Sequence, residues 1–518
     1  MNENLADAHA ISSRWLRPRG WSNVAVHYGN FPVDAPDGFG GGNMSYGLYI
    51  GKNHTADGLA YLAGYGDEPS SHWLEIVPRA QHDAGAAITV GVTPQAAMPG
   101  VLSRIPQMRE TARHLRVSYS HYLGVPAPLT NGGLNEHGVA VRDIWSTSRA
   151  ELIAMTPPDQ TGPNYSDLAR IVLERARSAR EGVEIIAGLI AAHGYSTYGG
   201  NSHIIADPDE AFVVIEFAGG QKLWVAERLG ASSIRASRPG HIGVIDFQRT
   251  DDFLYPAHFT AFAQAQGWHQ PGEAFDVNVI YGDGLGPWAG VQWIEAEMRA
   301  RAARPEKISL ADVMWAVRTP RLTGDTAGYG QVVPLHHPAH AELRYLWHTQ
   351  TGAIAAPFVP VFLGVHGVPE EFAHHRYLTE SEAGRFMDMR HALRGRPDAL
   401  SSVPQGIEST RSAFYVFKRL MYLMLQHHED YLPEVLPVWE AEEARLSGQL
   451  SCVLAAARLL ADRGETELAR FGLDYFTRTE LLNGLRMAEQ LADGLEARTR
   501  ARFGFSADPV PQSAPQIW

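Results

Sequence analysis

The residue best placed for nucleophilic chemistry is a serine that opens a strand directly after a glycine run. Gly40-Gly41-Gly42-Asn43-Met44 leads into Ser45-Tyr46-Gly47-Leu48-Tyr49-Ile50-Gly51-Lys52, and Asp57-Gly58-Leu59-Ala60-Tyr61-Leu62-Ala63 follows. A serine hydroxyl is a weak nucleophile until a base takes its proton. Cutting the chain between Met44 and Ser45 would supply that base, because a freed α-amine titrates at roughly 7.7–8.0, near the operating pH. Uncut, Ser45 is an ordinary strand serine. The other nucleophile, the single cysteine Cys452, lies in the apolar run Leu450-Ser451-Cys452-Val453-Leu454-Ala455-Ala456 and reads as a small buried hydrophobe. One cysteine permits neither an intrachain disulfide nor a multi-cysteine metal site.

Histidine is abundant, at 23 residues, and clusters at His336-His337-Pro338-Ala339-His340, at His374-His375 and at His427-His428-Glu429-Asp430. The first cluster has a proline inside it and no cysteine to join it, so a structural role outweighs a metal loop. His427 to Asp430 reads as the end of a helix, where an imidazole complements the dipole. Asp207-Pro208-Asp209 is turn chemistry and not an acid–base pair. Glu216 sits inside an apolar strand and needs a paired partner if buried. The glycine-rich stretches near 38–42 and 282–289 lack the strand and helix that a nucleotide-binding loop requires. No cofactor and no metal is expected.

These residues must be positioned by strands and helices in separate runs. Met44 to Ile50 and Leu59 to Ala63 read as a hairpin. A helix is possible from Arg104 to Leu115. Asn131-Gly132-Gly133 reads as a turn before a strand at Leu134 to Ile144. Tyr165 to Ala192 has the spacing of two helices. His203 to Ala206, Ala211 to Phe217 and Leu223 to Arg228 read as a three-strand meander. Leu343 to His348 is a further strand, turned at Gln350-Thr351-Gly352 into Ala353 to Phe362. Long helical periodicity follows at Ala413 to Gln426, Trp439 to Leu460 and Glu465 to Arg500. Such runs, without strict strand–helix alternation, imply an α+β layered fold and not a doubly wound parallel sheet.

Composition sets outer bounds. The chain has 518 residues, 45% hydrophobic and 19% charged, which is long enough for two or three domains. No stretch approaches the roughly 18 continuous apolar residues of a membrane span. Acid near the start, at Glu3 and Asp7, is unlike a secretory leader, so a cytoplasmic location is expected. A net charge of −13 argues against a nucleic-acid partner.

The stretch Asn201-Ser202-His203-Ile204-Ile205-Ala206-Asp207-Pro208-Asp209-Glu210-Ala211 … Glu216 … Gly219-Gly220 … Trp224-Val225-Ala226-Glu227-Arg228 resembles the central signature of the N-terminal-nucleophile (Ntn) dipeptidases, the dipeptidase A and secernin group. Further pieces follow the family's order. They are Gly133-Leu134-Asn135-Glu136-His137-Gly138-Val139-Ala140, Ala236-Ser237-Arg238-Pro239-Gly240-His241-Ile242, Tyr281-Gly282 at the substrate-side loop, Ile308 to Trp315 and Gly324-Asp325-Thr326. The resemblance covers most of residues 45–450. It implies an αββα four-layer sandwich with an added helical C-terminal region. The domains would be a prefix or propeptide over 1–44, an Ntn-type domain over 45–405, a helical region over 406–505 and a loose tail over 506–518.

The resemblance also implies a peptidase or amidohydrolase acting on a small peptide or amide, metal-independent and often oligomeric. Its site residues would be Ser45 at the family's cysteine position, Asp67, Asn135, Ser237 and Arg238. Three departures stand out, the first being serine in place of cysteine at position 45. Gly64 occupies the place of an expected arginine, and Ser237 that of an asparagine expected to hold the oxyanion. Arg238 or Arg235 would then have to supply the missing cation. The departures also fit an uncleaved, impaired family member serving as a binding or assembly subunit, or a specialised amide hydrolase or acyltransferase on a secondary metabolite.

Overall fold

A computed structural model describes residues 45–67, 71–92, 98–119, 129–373, 411–504 and 516–517. The prefix, Met44 and the His374-His375 pair lie outside the described residues.

The strands run β1 Tyr46–Ile50, β2 Ala60–Gly66, β3 His72–Val77, β4 Ala80–Gln81, β5 Ala87–Gly91, β6 Leu102–Pro106, β7 Glu110–Thr111, β8 His114–Tyr119 and β9 Leu129–Asn135. They continue with β10 Ala140–Ile144, β11 Asn201–Ala206, β12 Ala211–Glu216, β13 Trp224–Leu229, β14 Ile234–Ser237, β15 Phe253–Leu254, β16 Tyr329–Leu335, β17 Tyr345–Gln350 and β18 Val359–Phe362. One sheet has the order β14-β1-β2-β16-β17-β18 and the other β15-β13-β12-β11-β10-β9-β8-β3. Every ladder in both is antiparallel.

The sheets face each other through β1, β2 and β10. Gly47 marks the closest approach: a Cβ there would lie 2.4 Å from Ile144 Cδ1 and 2.9 Å from Ile204 Cδ1. Helices α2 (Tyr165–Arg175) and α3 (Ala179–His193) cover the outer face of the larger sheet. Their apolar stripes, Leu168, Ile171 and Val172 with Val183, Ile186 and Ile190, share a core with Val141, Ile205, Phe212 and Val214. Asn164 and Ser178 cap them by accepting from Asp167 and Glu181 N–H groups, which fixes where each helix starts.

The outer face of the smaller sheet carries α6 (Ala289–Ala302) and α7 (Leu310–Arg318) over β14, β2 and β16, and α8 (Ala413–Gln426), α9 (His428–Asp462) and α10 (Thr466–Phe503) over β17 and β18. A buried ion pair ties this layer together. Arg318 on α7 makes a two-pronged contact to Glu443 on α9, with Nη1 at 2.8 Å, while Glu443 also accepts from Phe358 N–H at 2.7 Å. Removing one partner of a buried pair strands the other charge, at about 3–5 kcal/mol. Glu443→Ala is therefore expected to lower the unfolding free energy by that amount in denaturant titration, and a loss below about 1 kcal/mol would contradict this role.

The paired helices over Tyr165 to Ala192, the three-strand meander and the long C-terminal helices appear where the sequence places them. Five segments differ. Leu134 to Ile144 is broken by a turn at 136–138 between β9 and β10, and within Ala353 to Phe362 only Val359–Phe362 is strand. Arg104 to Leu115 is not helical but holds the end of β6, all of β7 and the start of β8. Pro106 lacks the N–H a helix interior needs, and Leu115, Val117 and Tyr119 alternate inward. Asn131-Gly132-Gly133 is strand and not turn. Its glycines serve close approach, since a Cβ at Gly133 would meet Leu115 O at 2.1 Å. Helix α9 begins at His428, well before Trp439, and runs through Pro433 and Pro437. His427 ends α8, while Glu429 and Asp430 occupy the first turn of α9, where acid suits the dipole. Gln516 and Ile517 bond to Leu322 O and Arg321 O at 3.0 Å each.

Candidate active site

Strand register places the candidate residues. Tyr46 pairs with Tyr65, and Gly47 with both Gly64 and Ser237. Continued by one residue, the ladder sets Ser45 across from Gly66, which in turn pairs with Tyr329. Alternate residues of a strand share a face. Ser45 therefore shares the face of Gly47, which is turned toward the other sheet. Ser45 is buried at 4% exposure. Ser237 lies on the same inner face, and its buried hydroxyl oxygen has no hydrogen-bond partner among the described residues.

The facing strand sends a charge into this space. Arg142 pairs with Ile204 and Gly132 and is fully buried, at 0% exposure. Its Nη1 donates to Asn131 O at 2.9 Å, to Asn131 Oδ1 at 2.7 Å and to the Tyr329 hydroxyl. Its Nη2 donates to Tyr65 O at 2.7 Å and Asp143 O at 3.1 Å. The guanidinium lies 5.1 Å over the Tyr329 ring.

Asp67 and Arg238 come together, but on the outer side of the smaller sheet. Arg238 Nη2 meets Asp67 Oδ2 at 3.0 Å, both side chains being 4% exposed. Arg238 Nη1 donates to the Tyr65 hydroxyl at 2.8 Å, which donates to Leu322 O at 2.6 Å. Thr326 donates to the other Asp67 oxygen. Lys418 on α8 holds the same loop through Asp325 O and Ala327 O, and burial pulls its amine down to about 8 against the pull of Asp325 and Asp67. Arg235 is paired with Glu227 at 2.7 Å. Asn135 is engaged elsewhere: Nδ2 donates to Leu173 O and Ala176 O at the end of α2, and Oδ1 accepts from His137 and Val139.

Gly64 explains why no side chain stands where arginine is expected. Its φ is +147°, and a Cβ there would lie 2.0 Å from Tyr46 O. The backbone of β1 has closed over that position.

Other singled-out residues have structural partners. Glu216 has its predicted partner, His203, at 2.8 Å beneath α2, with Asn201 bonded to Asp143 nearby. Asp207 Oδ1 accepts from Asp209 and Glu210 N–H groups, which is the turn chemistry expected of it. Tyr281 is a core residue against Phe259, Phe275 and Trp268. His336, His337 and His340 point to three separate acceptors, Pro334 O, Asp209 and Asp462.

Burial alone would depress the His203 imidazolium, but Glu216 and Asp143 outweigh it and hold it at about 9. A folded value above the unfolded 6.5 stabilises fully below pH 6.5, and that contribution is lost as pH rises through about 9. Replacing both partners, His203→Gln with Glu216→Gln, removes the pair without stranding a charge, and the stability difference from wild type is expected to shrink as pH rises through that window. A pH-independent difference in paired denaturation curves would contradict the charged pair.

Arg142, Tyr329 and Lys418 were not singled out by sequence reasoning, and Thr326 only as the end of the Gly324-Asp325-Thr326 piece. Arg142 did carry a signal, since Ala140, Arg142 and Ile144 share one face of an alternating strand and a charge sits there among apolar neighbours.

Residues 121–285 match the model of peptidase family C69. A match to a peptidase family over this stretch supports a hydrolase of the peptidase class. Among solved structures, two variants of the conjugated bile acid hydrolase from Clostridium perfringens are similar, each at 12% identity over 59% of this chain and 89% of the other, with TM-scores of 0.31 and 0.32. Scores this low carry no weight for fold or chemistry. No described helix is long and apolar enough to cross a membrane.

Proposed function

We propose that this chain is an Ntn-type amidohydrolase, dipeptidase-like, that cleaves amide bonds of small peptidic substrates on an αββα scaffold. The observation that carries the reading is the position of Ser45: it opens the strand that faces Gly66 and Ser237, buried on the face between the sheets. The prefix over 1–44 is a propeptide released by cleavage at Met44–Ser45, and residues 45–405 and 406–505 are the Ntn-type domain and its helical addition.

In the reaction, Ser45 Oγ attacks the substrate carbonyl carbon while its proton passes to its own α-amine. The oxyanion is held by the Ser237 hydroxyl and a backbone N–H, the kind of donor worth roughly 2.7–4 kcal/mol. The C–N bond then breaks, and the leaving amine takes the proton back. Water attacks the resulting ester, the α-amine takes its proton, and breakage of the C–O bond returns Ser45. Asp67, fixed by Arg238 and Thr326 on the helix side of the sheet, does not face Ser45 and instead steadies the end of β2 that carries Gly66.

The test is release of free amino acids from a panel of dipeptides by the purified chain. Turnover of at least one is expected. No turnover by a chain that begins at Ser45 would overturn the dipeptidase reading.

A further inference from the structure

The two arginines that the family resemblance expects to supply a cation here are both paired with carboxylates. Arg238 is paired with Asp67 and Arg235 with Glu227. Arg142 is different. All of its acceptors are neutral oxygens: a backbone carbonyl and the amide oxygen of Asn131, the Tyr329 hydroxyl, and the carbonyls of Tyr65 and Asp143. Among the described residues no carboxylate lies within ion-pair reach of it, and its buried Nε–H has no partner. An arginine cannot shed its proton to escape burial. Desolvating an ion without a counter-ion costs several kcal/mol. Among the described residues, this positive charge between the sheets therefore has no counter-ion.

Its place ties that charge to Ser45. The Tyr65 carbonyl it binds belongs to the peptide that lies across β1 from Ser45–Tyr46, one strand spacing of about 4.8 Å away. Tyr329, the other anchor, occupies the same row as Ser45 and Gly66, and Gly66 puts no side chain between them. Arg142 itself stands on the inner face of β10, on the same side as Ile144 and in register with Ile204, and those two isoleucines touch Gly47.

We propose that Arg142 is a positioning residue of this site. It fixes the Tyr65–Gly66 peptide beside Ser45, and its unbalanced charge stabilises the negative oxygen that forms when Ser45 attacks. This rests on the reading of Ser45 as the nucleophile. The charge that the family resemblance places at position 64 thus enters from the opposite sheet.

The experiment measures labelling of the full chain by a neutral fluorophosphonate, located by peptide mass. Ser45 Oγ attacks phosphorus, its proton passes to the α-amine, the P–F bond breaks and fluoride leaves. Arg142→Met is expected to lower the second-order labelling rate at Ser45 by about 10²–10³-fold, corrected for the folded fraction in thermal melts. Arg142→Lys is expected to recover at least about tenfold over the methionine variant, because it restores charge without the fork geometry. If the methionine variant does not fold, Arg142→Gln takes its place. Labelling of the neutral variant within about threefold of wild type overturns the Arg142 proposal and leaves Ser45 standing, and so do folded lysine and neutral variants that are equally slow. Absence of labelling at Ser45 in the wild type overturns both.

Discussion

Replacing Ser45 with alanine is expected to leave the chain at full length and to lower amide hydrolysis on the order of 10⁴-fold or more, the usual scale for losing a nucleophile. Both effects follow from the lost hydroxyl: in the uncut chain it would attack the Met44 carbonyl carbon, so that the Met44–Ser45 C–N bond breaks and water then releases residues 1–44, and in the mature chain it attacks the substrate carbonyl. The substitution should barely disturb folding. Ser45 precedes β1, and alanine fits the same extended backbone. The check is paired: activity on dipeptides, and a thermal melt of the same preparation. Residual activity within about tenfold of wild type would place the nucleophile elsewhere. Cys452, the single thiol, is exposed and not buried as its apolar run suggests, but it lies on α9, in the helical layer outside the smaller sheet and away from the face that Ser45 shares.

Restoring the arginine that the family resemblance expects is predicted to break the protein. Gly64→Arg would put a Cβ 2.0 Å from Tyr46 O and 3.0 Å from Gly47 Cα, both backbone atoms that cannot swing aside. The φ of +147° adds strain for any L side chain. Together these are expected to cost about 4 kcal/mol or more, at the far end of single-substitution effects. Denaturant unfolding of the variant is the check. A variant folded within about 1 kcal/mol of wild type would mean that the strand pair can reopen. The outcome also bears on Arg142: a backbone closed at 64 leaves no room for a cation from that position in the space between the sheets.

Much of the scaffold was legible in the sequence because its signals are local. Helical spacing and caps mark α2 and α3, and the Asp207 turn fixes the hairpin between β11 and β12. The segments that differ depend on distant partners. Gly132 and Gly133 look like turn residues until Tyr329, Gln331 and Leu115 crowd against them. Helical periodicity in the sequence begins at Trp439, yet α9 runs through Pro433 and Pro437 while Tyr431, Leu432, Val435 and Trp439 are buried around them.

The site divides in the same way. The glycine run and strand pattern around Ser45 can be read in one dimension, and so can the order of Asp67, Ser237 and Arg238. Which face each occupies cannot. The Asp67–Arg238 pair belongs to the helix side of its sheet, Ser45 and Ser237 to the inner side, and Asn135 to the end of α2. Arg142 was passed over because a charge in a strand ordinarily points to solvent, and only the pairing of two sheets shows that this one cannot.

The most direct test of the central claim is the intact mass of the full-length chain after purification, beside its Ser45→Ala variant. The account predicts a wild-type mass reduced by residues 1–44, with a mature chain beginning at Ser45, and an uncut variant. A wild-type chain that stays at full mass while hydrolysing dipeptides would contradict it.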